Sequence, residues 1–140
     1  MGKKVSLKKK LYDERSKKML NLQRPVGESN RYMFKTHYML VHPNYQKLDF
    51  CSKVLYDYMV DWAFGDDNFL KTGIFKYSTT MLKTNEMNVM SNVTCIKALK
   101  ELEYFGFIAK ANNATYRSGI TQEWMFSDKW MKGEKPKPKK

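Results

Sequence analysis

The side chains available for chemistry are mostly cations. The 140-residue chain carries 26 Lys plus Arg against 14 Asp plus Glu, a formal charge of +12. An excess of that size suits a polyanionic partner, either nucleic acid or an acidic membrane surface. Its distribution is uneven: residues 1–24 hold nine basic and two acidic side chains, and residues 129–140 hold six and one. The stretch between them, 25–128, is electrically neutral, so the excess lies in the two ends. Each phosphate neutralised contributes about −0.9 to the slope of log K against log salt, and lysines at the ends can therefore supply attraction that ignores base sequence.

Groups suited to catalysis are sparse. His37 and His42 have no companion ligand at metal-binding spacing and are expected to be surface or packed histidines. Asp66 and Asp67 read as a solvated loop, and no Gly-rich phosphate loop, HExxH or GxSxG is present. Cys51 and Cys95 form no CxxC or CxxH cluster and are expected to be free, small hydrophobes. The expectation is a protein that is not an enzyme and uses no metal or cofactor. Two glycosylation sequons, at Asn92 and Asn113, are set aside because no secretory signal is evident.

No apolar run approaches the roughly 20 residues that span a bilayer. Lys8, Lys9 and Lys10 stand where a signal peptide would be apolar. A cytoplasmic location without a membrane partner is the expectation. A lipid-surface role fits poorly, because the N-terminal arm has no Trp or Phe on its thin apolar face.

Three regions follow from the patterning: a basic N-terminal arm and linker (1–30), one domain (31–130) and a basic, disordered tail (131–140). The arm's apolar stripe is interrupted by Arg15 and Lys18, so any helix there is weak, and Pro25-Val26-Gly27 begins a linker. Arg31 to Val41 is rich in β-favouring residues and predicts a strand. Cys51, Val54, Leu55, Tyr58, Met59 and Trp62 make a helical stripe with Asp49 as its cap. Gly65-Asp66-Asp67-Asn68 ends that helix, Gly73 to Tyr77 predicts a short strand, and Ser78 can cap a helix over Thr79 to Asn85. Ser91 can cap another helix with the core stripe Cys95, Ala98, Leu99, Leu102 and Phe105, stopped by Gly106. Phe107 to Ala109 and Ile120 to Phe126 then predict a hairpin across turn-forming residues. Most of the methionines, Met33, Met39, Met81, Met87, Met90, Met125 and Met131 among them, are expected in the core.

The pattern is α+β, and it describes a winged helix-turn-helix: a three-helix core with a C-terminal β-hairpin wing and flexible basic tails. Tyr77-Ser78, Leu82, Met90-Ser91, Thr94, Lys97 to Glu103 and Gly106-Phe107-Ile108 resemble the helix-turn-helix segment of bacterial winged-helix proteins. Leu48 followed by Lys53 to Met59 resembles the first helix of replication-initiator-like proteins of plasmids and phages of Gram-positive bacteria. Together the two stretches cover roughly residues 31–130, about one ordinary domain.

The resemblance implies that the helix starting at Ser91 lies in the major groove and that the hairpin touches the neighbouring backbone or minor groove. On this chain it implies that Asn92 pairs with adenine, Val93 and Ile96 pack on thymine methyls, and Lys97 and Lys100 bind guanine or phosphate. In the wing it implies that Arg117 enters a narrow minor groove and that Asn112, Asn113, Thr115 and Ser118 donate to sugar or phosphate, with Lys110 on the backbone. The implied process is replication initiation, DNA transfer or transcription control. The implied partners are double-stranded DNA, a second copy docked through Tyr32 to Leu40, and replication or transfer proteins.

Two plainer readings stand beside this one. Lys97, Lys100, Glu101 and Glu103 can simply be a solvated helix face, with Val93 and Ile96 covered by another element. Alternatively the domain is a protein-interaction module, docking through the Ser91–Phe105 helix or through the acidic first-helix side around Asp57, Asp61, Asp66 and Asp67, and tethered to nucleic acid by its basic ends.

Overall fold

The computed structural model describes residues 6–23, 35–77, 90–112 and 121–138. The chain divides into two units, Met1–Tyr32 and Met33–Lys140.

In the first unit, α1 (Leu7–Gln23) is a 17-residue helix with no buried side chain. Ser6 opens it, its hydroxyl accepting the Lys9 N–H at 3.2 Å. The arm thus forms a helix where only a weak one was expected. Straight-chain Leu, Lys, Glu and Gln dominate its sequence, and their propensities sum favourably over this length even without an apolar face.

The second unit is α+β. Its elements are α2 (His37–Val41), α3 (Pro43–Gln46), α4 (Phe50–Phe64), α5 (Asp67–Thr72), β1 (Phe75–Lys76), α6 (Asn92–Tyr104), β2 (Ile108–Lys110), β3 (Glu123–Phe126) and a 3₁₀ turn at Lys129–Met131. The strands form an antiparallel sheet of order β1-β3-β2, in which Trp124 faces Phe75 on one side and Lys110 on the other. The core lies between α4, α6 and this sheet. Leu55, Met59 and Ala63 are buried with Cys95, Ala98, Leu99 and Leu102, and Phe75, Trp124 and Ile108 close it from the sheet side.

Two segments differ from expectation. In place of a strand ending at Val41 there are two short helices. The Thr36 hydroxyl caps α2 by accepting the Met39 N–H, and His42 Nδ1 caps α3 by accepting the Asn44 N–H, each at 3.1 Å. Side-chain capping with Pro43 at the first turn of α3 outweighs the β propensity of the aromatic residues. The Gly-Asp-Asp-Asn sequence is also more than a loop. Asp66 caps α5 through the Asn68 N–H, and Gly73, with φ +78, closes its other end. Residues 31–34 and the helix expected over Thr79 to Asn85 lie outside the described residues.

Aromatic rings join the layers. Phe75 stacks on Phe126 at 5.0 Å, Phe69 meets both edge-on, and Tyr56 bridges Phe126 and Phe107. Lys35 ties the chain before α2 to α4 by an ion pair with Asp57 at 2.8 Å while lying over the Tyr45 ring. The methionines divide: Met39 and Met59 are buried, whereas Met125 and Met131 are exposed, so the expectation of mostly core methionines fails for these two.

Candidate nucleic-acid interface

The helix that carries the proposed contacts follows directly from its sequence. The Ser91 hydroxyl accepts the Thr94 N–H at 3.2 Å and starts α6. Cys95, Ala98, Leu99, Leu102 and Phe105 are all buried, as their spacing predicts. Gly106 ends the helix with φ +85, and a Cβ there would lie 2.8 Å from both the Lys129 Cβ and the Trp130 nitrogen. The helix stop is therefore also the place where the C-terminal segment crosses close to the backbone.

Burial of that stripe turns the opposite side of α6 outward. Ser91, Asn92, Lys97 and Lys100 are exposed, Val93 is 62% exposed, and Ile96 is half-buried. Apolar, amide and ammonium groups thus share the N-terminal and middle turns of one accessible face. The acidic side chain Glu101 is turned elsewhere, accepting the backbone N–H of Asp49 at the head of α4 at 2.6 Å. A four-residue span therefore separates Lys97 from the first carboxylate of the helix, and that carboxylate is already committed.

The wing residues are less uniform. Lys110 is exposed at the end of β2. Asn112 has another job: its amide donates to the Thr121 carbonyl at 3.1 Å and accepts the Glu123 N–H at 3.2 Å, so both ends hold the base of the hairpin. Turn chemistry at Asn112 was read correctly: its amide closes the hairpin. Asn113, Thr115, Arg117 and Ser118 lie outside the described residues.

The C-terminal segment departs most from expectation, because residues 133–138 are held rather than disordered. Asn44, fully buried, donates from Nδ2 to the carbonyls of Trp130 and Gly133, and its Oδ1 accepts the Lys135 N–H, each at 2.8 Å. Lys47 pairs with Glu134 at 2.6 Å, and this contact holds the Glu134 carboxyl below its usual range. Lys135 Nζ donates to the Tyr104 carbonyl, Tyr104 donates its hydroxyl to the Pro136 carbonyl, and Lys137 pairs with Asp49 at 2.9 Å. That last contact raises the Lys137 ammonium above its usual value. Upstream, Trp130 stacks on Phe107 at 5.2 Å and takes the His42 ring edge-on. A polar Lys-Pro sequence gives no periodic signal for this. The one hint in the sequence is Asn44, a polar residue set between Pro43 and Tyr45.

Three further titratable side chains are kept protonated by burial. Burial pushes the Cys95 thiol from 9.0 up to about 12 and the Tyr56 hydroxyl, aided by the Asp57 charge and Tyr45, from 10.0 to about 12. Burial also raises the Tyr77 hydroxyl. Among the described residues, three or more His, Cys, Asp or Glu nowhere gather as a metal site, and no helix is long and apolar enough to cross a membrane. Comparison with known proteins returns no matching family model, curated protein or solved structure.

Proposed function

We propose that this chain is a winged helix-turn-helix protein that binds double-stranded DNA with a sequence preference and serves replication initiation, DNA transfer or transcription control on a plasmid or phage. The observation that carries the reading is the division of α6 into a buried stripe and an outward face bearing Asn92, Val93, Lys97 and Lys100. Amide, apolar and ammonium groups are the types that read adenine, thymine methyl and guanine or phosphate in a major groove. Support also comes from the antiparallel sheet beside this helix, whose β2–β3 connection contains Arg117 in sequence.

A second reading has one observation in its favour. Phe64 and Leu70, 51% and 61% exposed, stand at the α4–α5 end beside Asp66 and Asp67. An apolar, acidic surface of this kind repels phosphate and suits a protein partner. The two readings separate in a titration of the full chain against duplex from the source replicon and against a scrambled duplex, repeated with Asn92→Ala/Lys97→Ala. The DNA reader predicts a preference of tenfold or more for one natural segment, lost in the double variant. Equal weak affinity for every duplex, unchanged by the double variant, supports the interaction module instead.

A further inference from the structure

The two cationic ends of the chain are built differently. At the C-terminal end Lys132, Lys135 and Lys137 are engaged within the fold. Lys135 donates to the Tyr104 carbonyl at 2.9 Å and lies 4.7 Å over the Tyr104 ring, which places a positive charge at the C-terminal end of α6, where the helix dipole favours it. Lys137 is paired with Asp49, and Lys132 approaches Asp128 at 3.9 Å. The backbone of the same segment is fastened by Asn44 and Tyr104. A phosphate could recruit these lysines only by displacing partners they already have.

At the N-terminal end the opposite holds. Lys8, Lys9, Lys10, Arg15, Lys17 and Lys18 are all exposed on α1, and among the described residues none of them is ion-paired. Arg15 and Lys18 fall on the same stripe as Leu7, Leu11 and Leu22, so the helix has no continuous apolar face to bury in a core or a bilayer. Cations point outward all around it. Its 17 residues extend about 25 Å, a length over which a DNA duplex presents about 15 phosphate charges.

We infer that α1 is the phosphate-binding element of this protein, engaging the backbone of double-stranded DNA without regard to base sequence, and that the C-terminal Lys-Pro segment is an internal brace rather than a second polyanion arm. The inference rests on the reading of the chain as a duplex binder and assigns its nonspecific component to one end. One face of a helix reaches about three phosphates, so α1 accounts for a slope of about −2.7 in log K against log salt.

The test uses the full chain, a random-sequence 20-base-pair duplex and a salt series from 50 to 200 mM. Replacing all six α1 cations with Gln, which keeps helix propensity, removes the slope that α1 supplies. Across that fourfold salt range the unaltered protein should lose about 40-fold more affinity than the variant. Lys135→Gln/Lys137→Gln should leave the slope unchanged and lower the melting temperature. A slope in the six-Gln variant equal to that of the unaltered chain overturns the assignment, and simultaneous loss of binding to phosphatidylserine vesicles would transfer α1 to a lipid surface. A slope reduced by Lys135→Gln/Lys137→Gln overturns the brace. An unaltered chain that binds no duplex at all sinks the duplex reading itself, an outcome distinct from either of these.

Discussion

Asn44 and Lys135, ninety-one residues apart in sequence, are joined by a 2.8 Å hydrogen bond from the Lys135 backbone N–H to the buried Asn44 side chain. The same amide holds the carbonyls of Trp130 and Gly133, so one side chain fastens the C-terminal segment at three points. This explains how a lysine- and proline-rich stretch becomes ordered. A buried amide with three protein partners offsets ordering entropy that the segment's own apolar content could not.

Asn44→Leu keeps the branched shape, though with bulkier methyl groups, and removes all three hydrogen bonds. It should lower unfolding stability by about 2–4 kcal/mol. Urea unfolding gives the stability change, and trypsin should cut faster after Lys132. An unchanged midpoint would show that the segment adds nothing to the fold.

Gly106 and Gly73 both have positive φ, +85 and +78, but differ in their surroundings. A Cβ at Gly73 meets nothing within 4 Å, whereas at Gly106 it collides with Lys129 and the Trp130 backbone. Gly73→Ala should cost about 1–2 kcal/mol, the left-handed penalty alone. Gly106→Ala should cost about 3 kcal/mol or more, because the crossing chain must also move. Paired thermal melts decide it, and equal losses would mean that the segment yields freely.

What could be read from sequence, and what could not, follows from the range of the interactions. The stripe Cys95, Ala98, Leu99, Leu102 and Phe105, with Ser91 and Gly106 at its ends, is a local pattern, and all of it holds. The short strand before Tyr77 and the return strand ending at Phe126 are legible for the same reason. Residues 35–41 mislead because β-favouring side chains sit between two capping residues, Thr36 and His42, and the caps decide. The C-terminal segment is illegible because its partners, Asn44, Lys47, Asp49 and Tyr104, are distant in sequence. At the candidate interface, exposure of Asn92, Val93, Lys97 and Lys100 follows from the helical period, while the commitment of Asn112 depends on hairpin pairing that composition does not specify.

Stability should fall in alkali. The buried Cys95 thiol holds its proton to about pH 12 in the fold and to 9.0 when unfolded, and Tyr56 shifts from 10.0 to about 12. The unfolded chain therefore binds fewer protons than the fold between these values, and stability decreases as pH rises. The contribution is intact below about pH 9 and is lost progressively toward pH 12. Melting temperatures measured from pH 8 to 11 should bend downward above pH 9. Cys95→Ala should delay that bend by removing the first group to ionise, and an identical bend in the variant would assign the loss to other groups.

Two asparagines on the candidate interface separate a contact residue from a structural one. Asn92 is exposed in the first turn of α6, and Asn112 has both ends of its amide in the hairpin. Asn92→Ala should weaken binding to the preferred duplex by about 1–3 kcal/mol, the worth of one bidentate base contact, and leave the melting temperature within a degree or two. Asn112→Ala should lower the melting temperature, by an amount corresponding to about 1–2 kcal/mol. Lys97→Ala completes the set: as an exposed cation on the reading face it should reduce affinity and flatten the salt slope by about 0.9 if it meets a phosphate, or relax preference at one base pair if it meets guanine. Destabilisation by Asn92→Ala or Lys97→Ala with unaltered duplex affinity would make this face structural, and the reading helix would have to be sought elsewhere in the chain.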